Sequence, residues 1–167
     1  LGAARNTSPH PTIRYVCRTV ISLTRAVPDL VLGAVFVSAL SIGPLPGVLA
    51  LAIHSIGMVG KLFADAIEQA AEAPREATIS VGATRRQTTR ASIIPQAMPS
   101  MIATALFRLE INIRASSVLG LVGAGGIGVL IQTSLRSLDY RSALGAVAVI
   151  FVVVTVVELL SVRIRSA

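Results

Sequence analysis

The chain has 167 residues, enough for about one domain, and 53% of them are hydrophobic while only 14% are charged, with a mean hydropathy of +0.77. A soluble core of this size cannot bury that much apolar surface, so the composition excludes an ordinary soluble domain and indicates a membrane protein. Cys17 is the single cysteine, which excludes a disulfide framework and a cysteine metal cluster.

Four long apolar segments are candidate transmembrane helices: residues 27–42, 45–66, 98–122 and 144–162. The first is short for a span of about 20 residues, but residues 13–26 can extend it as helix, with a kink at Pro28. We therefore expect an all-α, polytopic integral membrane protein with about four transmembrane helices in one domain, residues 1–167. Because the chain begins at Leu1 with no leader segment before its body, we expect its N-terminal part to be missing.

The net charge of +7 is distributed unequally between the two predicted sides of the membrane. If all four segments cross, the N-terminal stretch, the loop 68–97 and the C-terminal tail share one side of the membrane. Ten arginines lie on that side and two on the other: Arg5, Arg14, Arg18, Arg25, Arg75, Arg85, Arg86, Arg90, Arg163 and Arg165 against Arg136 and Arg141. The positive-inside rule makes the first side the cytoplasm. Nucleic-acid binding explains the charge less well, because no basic segment is interleaved with aromatic residues.

The polar loop over residues 72–99 is organised as two short helices. Pro74 suits a first helical turn, and Gly82 can adopt the left-handed conformation that ends a helix. Thr84 stands three residues before Gln87, the spacing of a capping box, and we expect Pro95 to stop the second helix. The loop is either a solvated helical hairpin or a docking element for a cytoplasmic partner.

This loop resembles the EAA motif (EAA, three residues, G, nine residues, I-x-L-P) of permeases in binding-protein-dependent ABC importers. Four residues match the motif directly: Glu76, Ala77, Gly82 and Pro95. Three positions depart mildly: Thr78, Ser92 and Ile94. The resemblance implies a cytoplasmic coupling loop over residues 68–97 that contacts a separate ATPase subunit. It further implies a permease homodimer, two ATP-binding subunits that hold ATP and Mg, an extracytoplasmic solute-binding protein, and no cofactor in this chain.

The segments that flank the loop are similar to the phosphonate-type permeases of this superfamily. They are HSIGMVGKLFADAIE before the loop, LFRLEINIRASSVLGLVGAGGIG and LDYR after it, and ARNTSPH near the start. The resemblance implies a bacterial inner-membrane importer for phosphonates, phosphite or phosphate. A methionine- or osmolyte-type importer is the alternative within the superfamily, because it shares the EAA motif.

Charged and polar residues inside the third apolar segment must face protein or water, since such groups are costly when they face lipid. Arg108, Glu110, Asn112 and Arg114 fall there, and Glu110 and Arg114 have the i,i+4 order that favours an ion pair. The pair either permits burial or lines the translocation pathway. In the second case Glu110, Asn112 and Arg114 form the pathway, and the Arg114 guanidinium makes weak bidentate contact with an oxyanion.

The stretch GAGGIG matches the G-x-G-x-x-G pattern of dinucleotide sites, but its surroundings do not. Asp139 comes too early for the acidic residue of that motif, and an apolar span follows it. We expect Gly123, Gly125, Gly126 and Gly128 to form a tight turn that leads into a short helix over about residues 129–138. By the resemblance, residues 121–142 form an extracytoplasmic gate.

Two functions from other classes compete with transport. A membrane-embedded enzyme would need more chemistry than the Glu110 and Arg114 pair provides, and a metal site would need more ligands than His10 and His54. A membrane-anchored regulator could use VGATRRQTTRAS as part of a helix-turn-helix. We expect no enzymatic activity, no metal and no nucleic-acid partner, while membrane lipid surrounds the chain.

Overall fold

The computed structural model describes residues 1–166, with side chains as far as Arg163. Within that range the chain forms eight α-helices and one π-helical turn, and no strand. The helices are α1 (Pro11–Ala26), α2 (Asp29–Leu40), α3 (Pro44–Glu68), α4 (Glu72–Ser80), α5 (Arg85–Thr88), α6 (Ile94–Gly120), α7 (Ile127–Arg136) and α8 (Tyr140–Ser166), with the π turn at Thr89–Ile93. The all-α prediction is confirmed. The side chain of Arg165, counted above among the cytoplasmic arginines, lies outside the described residues.

Helices α1 and α2 meet at a sharp bend of 79°. The bend falls at Val27, which is extended with φ −102° and ψ 125°, and at Pro28. Proline disfavours helical geometry in the residue before it and cannot donate a backbone hydrogen bond, so the helix ends there. The kink expected at Pro28 is therefore present, although it is a break between two helices.

Two helices, α3 and α8, are each long and apolar enough to cross a membrane, and the bent pair α1 and α2 also qualifies if it is one broken span. The third predicted segment, residues 98–122, is helical as α6 but does not meet the same test. Its middle carries Arg108, Glu110 and Arg114, so it depends on neighbouring helices to shield those charges.

Helix α3 lies at the centre of the packing, against α1, α2 and α6, while α6 also packs against α7 and α8. Glycines lie where these helices approach most closely. A Cβ at Gly57 would overlap the side chain of Thr24 on α1, and one at Gly33 would overlap Leu119 on α6. Membrane helices commonly use small residues in this way, because close backbone approach increases van der Waals contact.

The N-terminal segment, residues 1–10, folds over the end of α3. Its alanines join a small buried cluster with residues of α3, the π turn and α6: Ala3, Ala4, Ala64, Ile67, Ile93 and Ala97. The Glu68 carboxylate holds the segment in place, since it accepts hydrogen bonds from the Arg5 backbone at 2.7 Å and from the Arg18 guanidinium at 2.6 Å. The segment is thereby brought beside the loop that contains α4 and α5.

Candidate functional site

The first half of the predicted coupling loop is an exposed helix that ends at a glycine turn. Glu76 and Ala77 lie on α4 with exposed side chains. Gly82 has φ +83°, and its N–H donates to the Ile79 carbonyl at 2.9 Å. Apart from Gly82 itself and its two chain neighbours, no atom lies within 4 Å of the position that a Cβ would take at Gly82. Glycine is therefore favoured there by backbone conformation and not by lack of space.

The second half of the loop begins as predicted but does not end at Pro95. The Thr84 backbone N–H donates to Gln87 Oε1 at 2.8 Å, as in a capping box, and α5 follows. The expectation that Pro95 stops this helix is wrong, because Pro95 lies in the first turn of α6. The π turn over Thr89–Ile93 widens the backbone just before the proline, which lets the helix continue without the missing hydrogen bond.

The tip of the loop presents apolar side chains to solvent, which the sequence reasoning did not single out. Val81 is 81% exposed and Ile79 is 49% exposed, next to the exposed Glu76 and Ala77. The base of the loop is fixed to α6, since the Ala71 N–H donates to Gln96 Oε1 at 2.9 Å. The sequence contains a signal for this exposed apolar surface, because two β-branched apolar residues interrupt an otherwise polar stretch. Such a surface is suited to docking a protein.

The charges of α6 lie on two different sides of the helix. Arg108 is buried, with 4% of its surface exposed, and contacts α3. Its Nε donates to Ser55 Oγ at 3.0 Å, and its Nη2 lies 3.0 Å from His54 Nδ1. Asn112 joins the same cluster, since its Nδ2 donates to Ser55 Oγ at 3.1 Å. This polar cluster of His54, Ser55, Arg108 and Asn112 connects the two helices.

On the other side of α6, Glu110 and Arg114 form the predicted i,i+4 ion pair. The Glu110 side chain is 10% exposed, whereas that of Arg114 is 55% exposed, and one Arg114 nitrogen lies 4.0 Å from a carboxylate oxygen of Glu158 on α8. The structure does not bring Asn112 together with this pair. Two residues along a helix correspond to a rotation of about 200°, so Asn112 faces away from both Glu110 and Arg114.

Arg108 and Arg114 differ in burial and in their partners, and they are therefore suited to different interactions. The donors of Arg108 are occupied by α3 side chains, and the described residues include no carboxylate in an ion pair with it. Arg114 keeps more than half of its side chain accessible, although it is paired with Glu110 and lies 4.0 Å from Glu158. Arg114 is thus able to contact an external anion weakly, while Arg108 serves contact between helices.

The glycine stretch forms a tight turn against the start of α3. Gly123, Gly125 and Gly126 have φ of +86°, +82° and +77°. The Gly43 N–H donates to the Gly123 carbonyl at 3.1 Å. A Cβ at Gly125 would lie 2.5 Å from Pro44 Cα, and one at Gly128 would overlap the Ser117 carbonyl. The glycines are therefore required both by backbone conformation and by close packing.

Helix α7 follows this turn and begins at Ile127 and ends at Arg136, about two residues earlier at each end than expected. Asp139 then caps α8: the Ser142 hydroxyl donates to its carboxylate at 2.6 Å and the Ser142 N–H at 3.1 Å. These bonds favour the ionised carboxylate, and the hydroxyl has the larger effect in lowering the pKa of Asp139. Over the part of the chain with described side chains, no group of three or more His, Cys, Asp or Glu could hold a metal ion.

Comparisons with known proteins give close relatives over nearly the whole chain. The chain is 55% identical over 163 residues to the phosphate-import permease protein PhnE of Mycolicibacterium smegmatis, covering 98% of this chain and 31% of that protein. It is 48% identical over 159 residues to the phosphite transport system permease protein PtxC of Stutzerimonas stutzeri, covering 95% of this chain and 58% of that protein. The chain thus spans less than two thirds of these relatives.

The fold is similar to that of a solved structure. The crystal structure of an amino acid ABC transporter with histidines superposes with a TM-score of 0.81 at 22% identity, over 98% of this chain and 80% of that one. The predicted permease fold is thereby confirmed. The family model for the binding-protein-dependent transport system inner membrane component matches residues 1–166, and the chain belongs to that family.

Proposed function

We propose that this chain forms, as a dimer, the translocation pathway of an ATP-driven importer for phosphonates, phosphite or phosphate. The observation that carries the proposal is the exposed loop in which Glu76, Ala77 and Gly82 adopt a helix and a left-handed turn. The names of the two relatives described above favour a phosphorus oxyanion over the substrate of a methionine- or osmolyte-type importer. The chain itself is a transport subunit and performs no chemical step.

The loop between α3 and α6 couples the permease to a separate ATPase on the cytoplasmic side. The arginine distribution supports that orientation, with the loop and the C-terminal tail on the cytoplasmic side of the bacterial inner membrane. Glu76, Ala77 and Val81 offer an exposed surface of mixed polarity to the ATPase, and Pro95 lies where the loop joins α6. Two ATPase subunits hold ATP and Mg, one below each permease copy.

The Glu110 and Arg114 pair lines the pathway. Asn112 lies on the side of α6 that faces α3 and supports the position of α6 through its hydrogen bond to Ser55. Phosphonate and phosphite are oxyanions, and a half-exposed guanidinium is suited to bidentate contact with such groups. Glu110 and the nearby Glu158 offset the guanidinium charge, so the anion is held weakly enough to be released. The glycine turn at residues 123–128 and α7 form the outer gate, where a solute-binding protein delivers substrate.

ATP-driven closure of the ATPases moves the α4 loop, and the helices alternate between two packings that open to opposite sides. The ligand shifts the population between these packings only by binding one of them more tightly. α6 links the two ends, since it runs from the base of the loop to the glycine turn.

The orientation is tested by accessibility labelling of the full-length permease in a background without other cysteines. Val81→Cys in the loop and Leu138→Cys beyond α7 are both highly exposed positions, at 81% and 70%. We expect an impermeant thiol reagent to label Val81→Cys only in inside-out vesicles and Leu138→Cys only in right-side-out vesicles. The reverse result would remove the basis for ATPase coupling through this loop.

The pathway assignment is tested by uptake of radiolabelled phosphite and phosphate into proteoliposomes that contain the whole importer. We expect Arg114→Gln to lower uptake at least tenfold and Arg114→Lys to retain part of it, because lysine keeps the charge but not the bidentate geometry. Arg25→Gln, at an exposed arginine in the last turn of α1 outside the pathway, the gate and the coupling loop, is the matched control and should leave uptake unchanged. Normal uptake by Arg114→Gln would exclude the pair as the anion contact.

A further inference from the structure

A groove lies between the N-terminal segment and α5, outside the pathway and the gate. It encloses a cavity of about 510 Å³. Its walls combine cationic, hydroxyl and apolar side chains: Thr7, Pro9, Arg85, Arg86, Arg90 and Ile94. The groove forms because residues 1–10 fold over the end of α3 and reach the helix that follows the Gly82 turn.

The three arginines of this groove have no acidic partner. Arg85, Arg86 and Arg90 are exposed, and none takes part in an ion pair with the acidic residues of the described chain. Glu68, the acid that holds the N-terminal segment, is already bonded to Arg18 and to the Arg5 backbone. Three like charges within six residues repel one another unless an anion lies between them.

Positive charge continues beside the groove. A neighbouring cavity of about 230 Å³ shares Arg85 and Pro9 with the groove and adds Arg5 and Arg14 to the lining. The Arg14 guanidinium carbon lies 5.3 Å from the centre of the Tyr15 ring. This continuous basic surface is wider than one small oxyanion requires.

The groove lies near one end of a candidate membrane span. The apolar helix α3 ends at Glu68, where the N-terminal segment is attached. Tyr15 and Val16 of α1 are 65% and 58% exposed. Exposed tyrosine and apolar side chains beside arginine are typical of the level at which lipid headgroups meet hydrocarbon.

We propose that this groove binds the phosphate group of an anionic phospholipid. The guanidinium groups of Arg85, Arg86 and Arg90 contact the phosphate, and Pro9 and Ile94 contact the glycerol and the first methylenes of the acyl chains. Arginine suits this role because its planar donors match phosphate oxygens in pairs. The site is independent of the transported substrate and of the Arg114 pathway contact.

The test uses the full-length permease in the assembled importer and measures retained lipid by native mass spectrometry. Phosphatidylglycerol is titrated against phosphatidylcholine. We expect the triple variant Arg85→Gln, Arg86→Gln, Arg90→Gln to bind phosphatidylglycerol about a hundredfold more weakly, since each arginine near an anionic surface contributes about 1 kcal/mol. The matched control is Arg136→Gln with Arg141→Gln, two exposed arginines at the other end of the molecule, which should bind as the parent does.

Three results would overturn the proposal. The first is unchanged phosphatidylglycerol binding by the triple variant. The second is displacement of the lipid by millimolar inorganic phosphate, which would identify a site for the free anion. The third is loss of the ATPase subunit from the complex with lipid binding intact, which would make the groove a protein-docking surface. If the triple variant does not assemble, the single variant Arg86→Gln should bind phosphatidylglycerol about fivefold more weakly, and no change would refute the site.

Discussion

Replacement of Gly82 by valine should separate ATP hydrolysis from transport. Gly82 has φ +83°, and a Cβ at this position would meet no other part of the chain within 4 Å. The cost comes from the backbone: a side chain in the left-handed region costs about 1 to 2 kcal/mol, and a β-branched one lies at the upper end or beyond. A cost of 2 kcal/mol lowers the population of the native turn about 30-fold relative to other conformations.

The assay compares ATP hydrolysis and phosphite uptake by the complete importer in proteoliposomes. We expect Gly82→Val to reduce uptake at least tenfold while ATP hydrolysis continues, because α4 no longer keeps its direction relative to α6. Gly82→Asn should retain most uptake, since asparagine tolerates the left-handed conformation.

Gly145→Val is the matched control, as Gly145 also has open space around its Cβ position but lies in helix α8 without a positive φ. Normal coupled uptake by Gly82→Val would refute the reasoning. Equal loss in Gly82→Val and Gly82→Asn would show that the backbone conformation is not the cause.

Three further substitutions test the glycine turn, the polar cluster and the cap of α8. Gly125→Ala should destabilise the permease more than Gly126→Ala in thermal unfolding, because both have positive φ but only a Cβ at Gly125 would meet backbone at 2.5 Å. Ser55→Ala should lower the stability by about 1–3 kcal/mol, since it leaves buried donors of α6 unpaired, whereas Ser38→Ala, at a hydroxyl that bonds only its own helix, should have little effect. Asp139→Ala should weaken the start of α8 at neutral pH. Because the folded pKa of Asp139 is lowered, the difference from the parent should be present above the unfolded pKa and disappear as the pH falls through the folded value.

Local features of the loop could be predicted from the sequence, because they depend on residues a few positions apart. Gly82 ends one helix, and the Thr84 and Gln87 pair begins the next, as their spacing indicates. The π turn before Pro95 could not be predicted in this way, since no residue type specifies it. It is a feature of how the backbone accommodates the proline while α6 packs against its neighbours.

The polar cluster could be predicted only in part. Helical periodicity alone places Asn112 on the side of α6 opposite Glu110 and Arg114. Ser55, however, is 53 residues from Arg108 and has no local signal. Its role depends on the register between α3 and α6, which is set by packing along the whole length of both helices.

Helix α6 connects the loop that contains α4 and α5 to the glycine turn, with Pro99 inside it. It has 27 residues and is therefore about 40 Å long. A tilt of about 10° around its midpoint would displace each end by about 3.5 Å in opposite directions. A displacement of about 3.5 Å exceeds the 3.1 Å distance of the hydrogen bond from the Gly43 N–H to the Gly123 carbonyl. A small change of angle at the loop would therefore be sufficient to separate the glycine turn from α3.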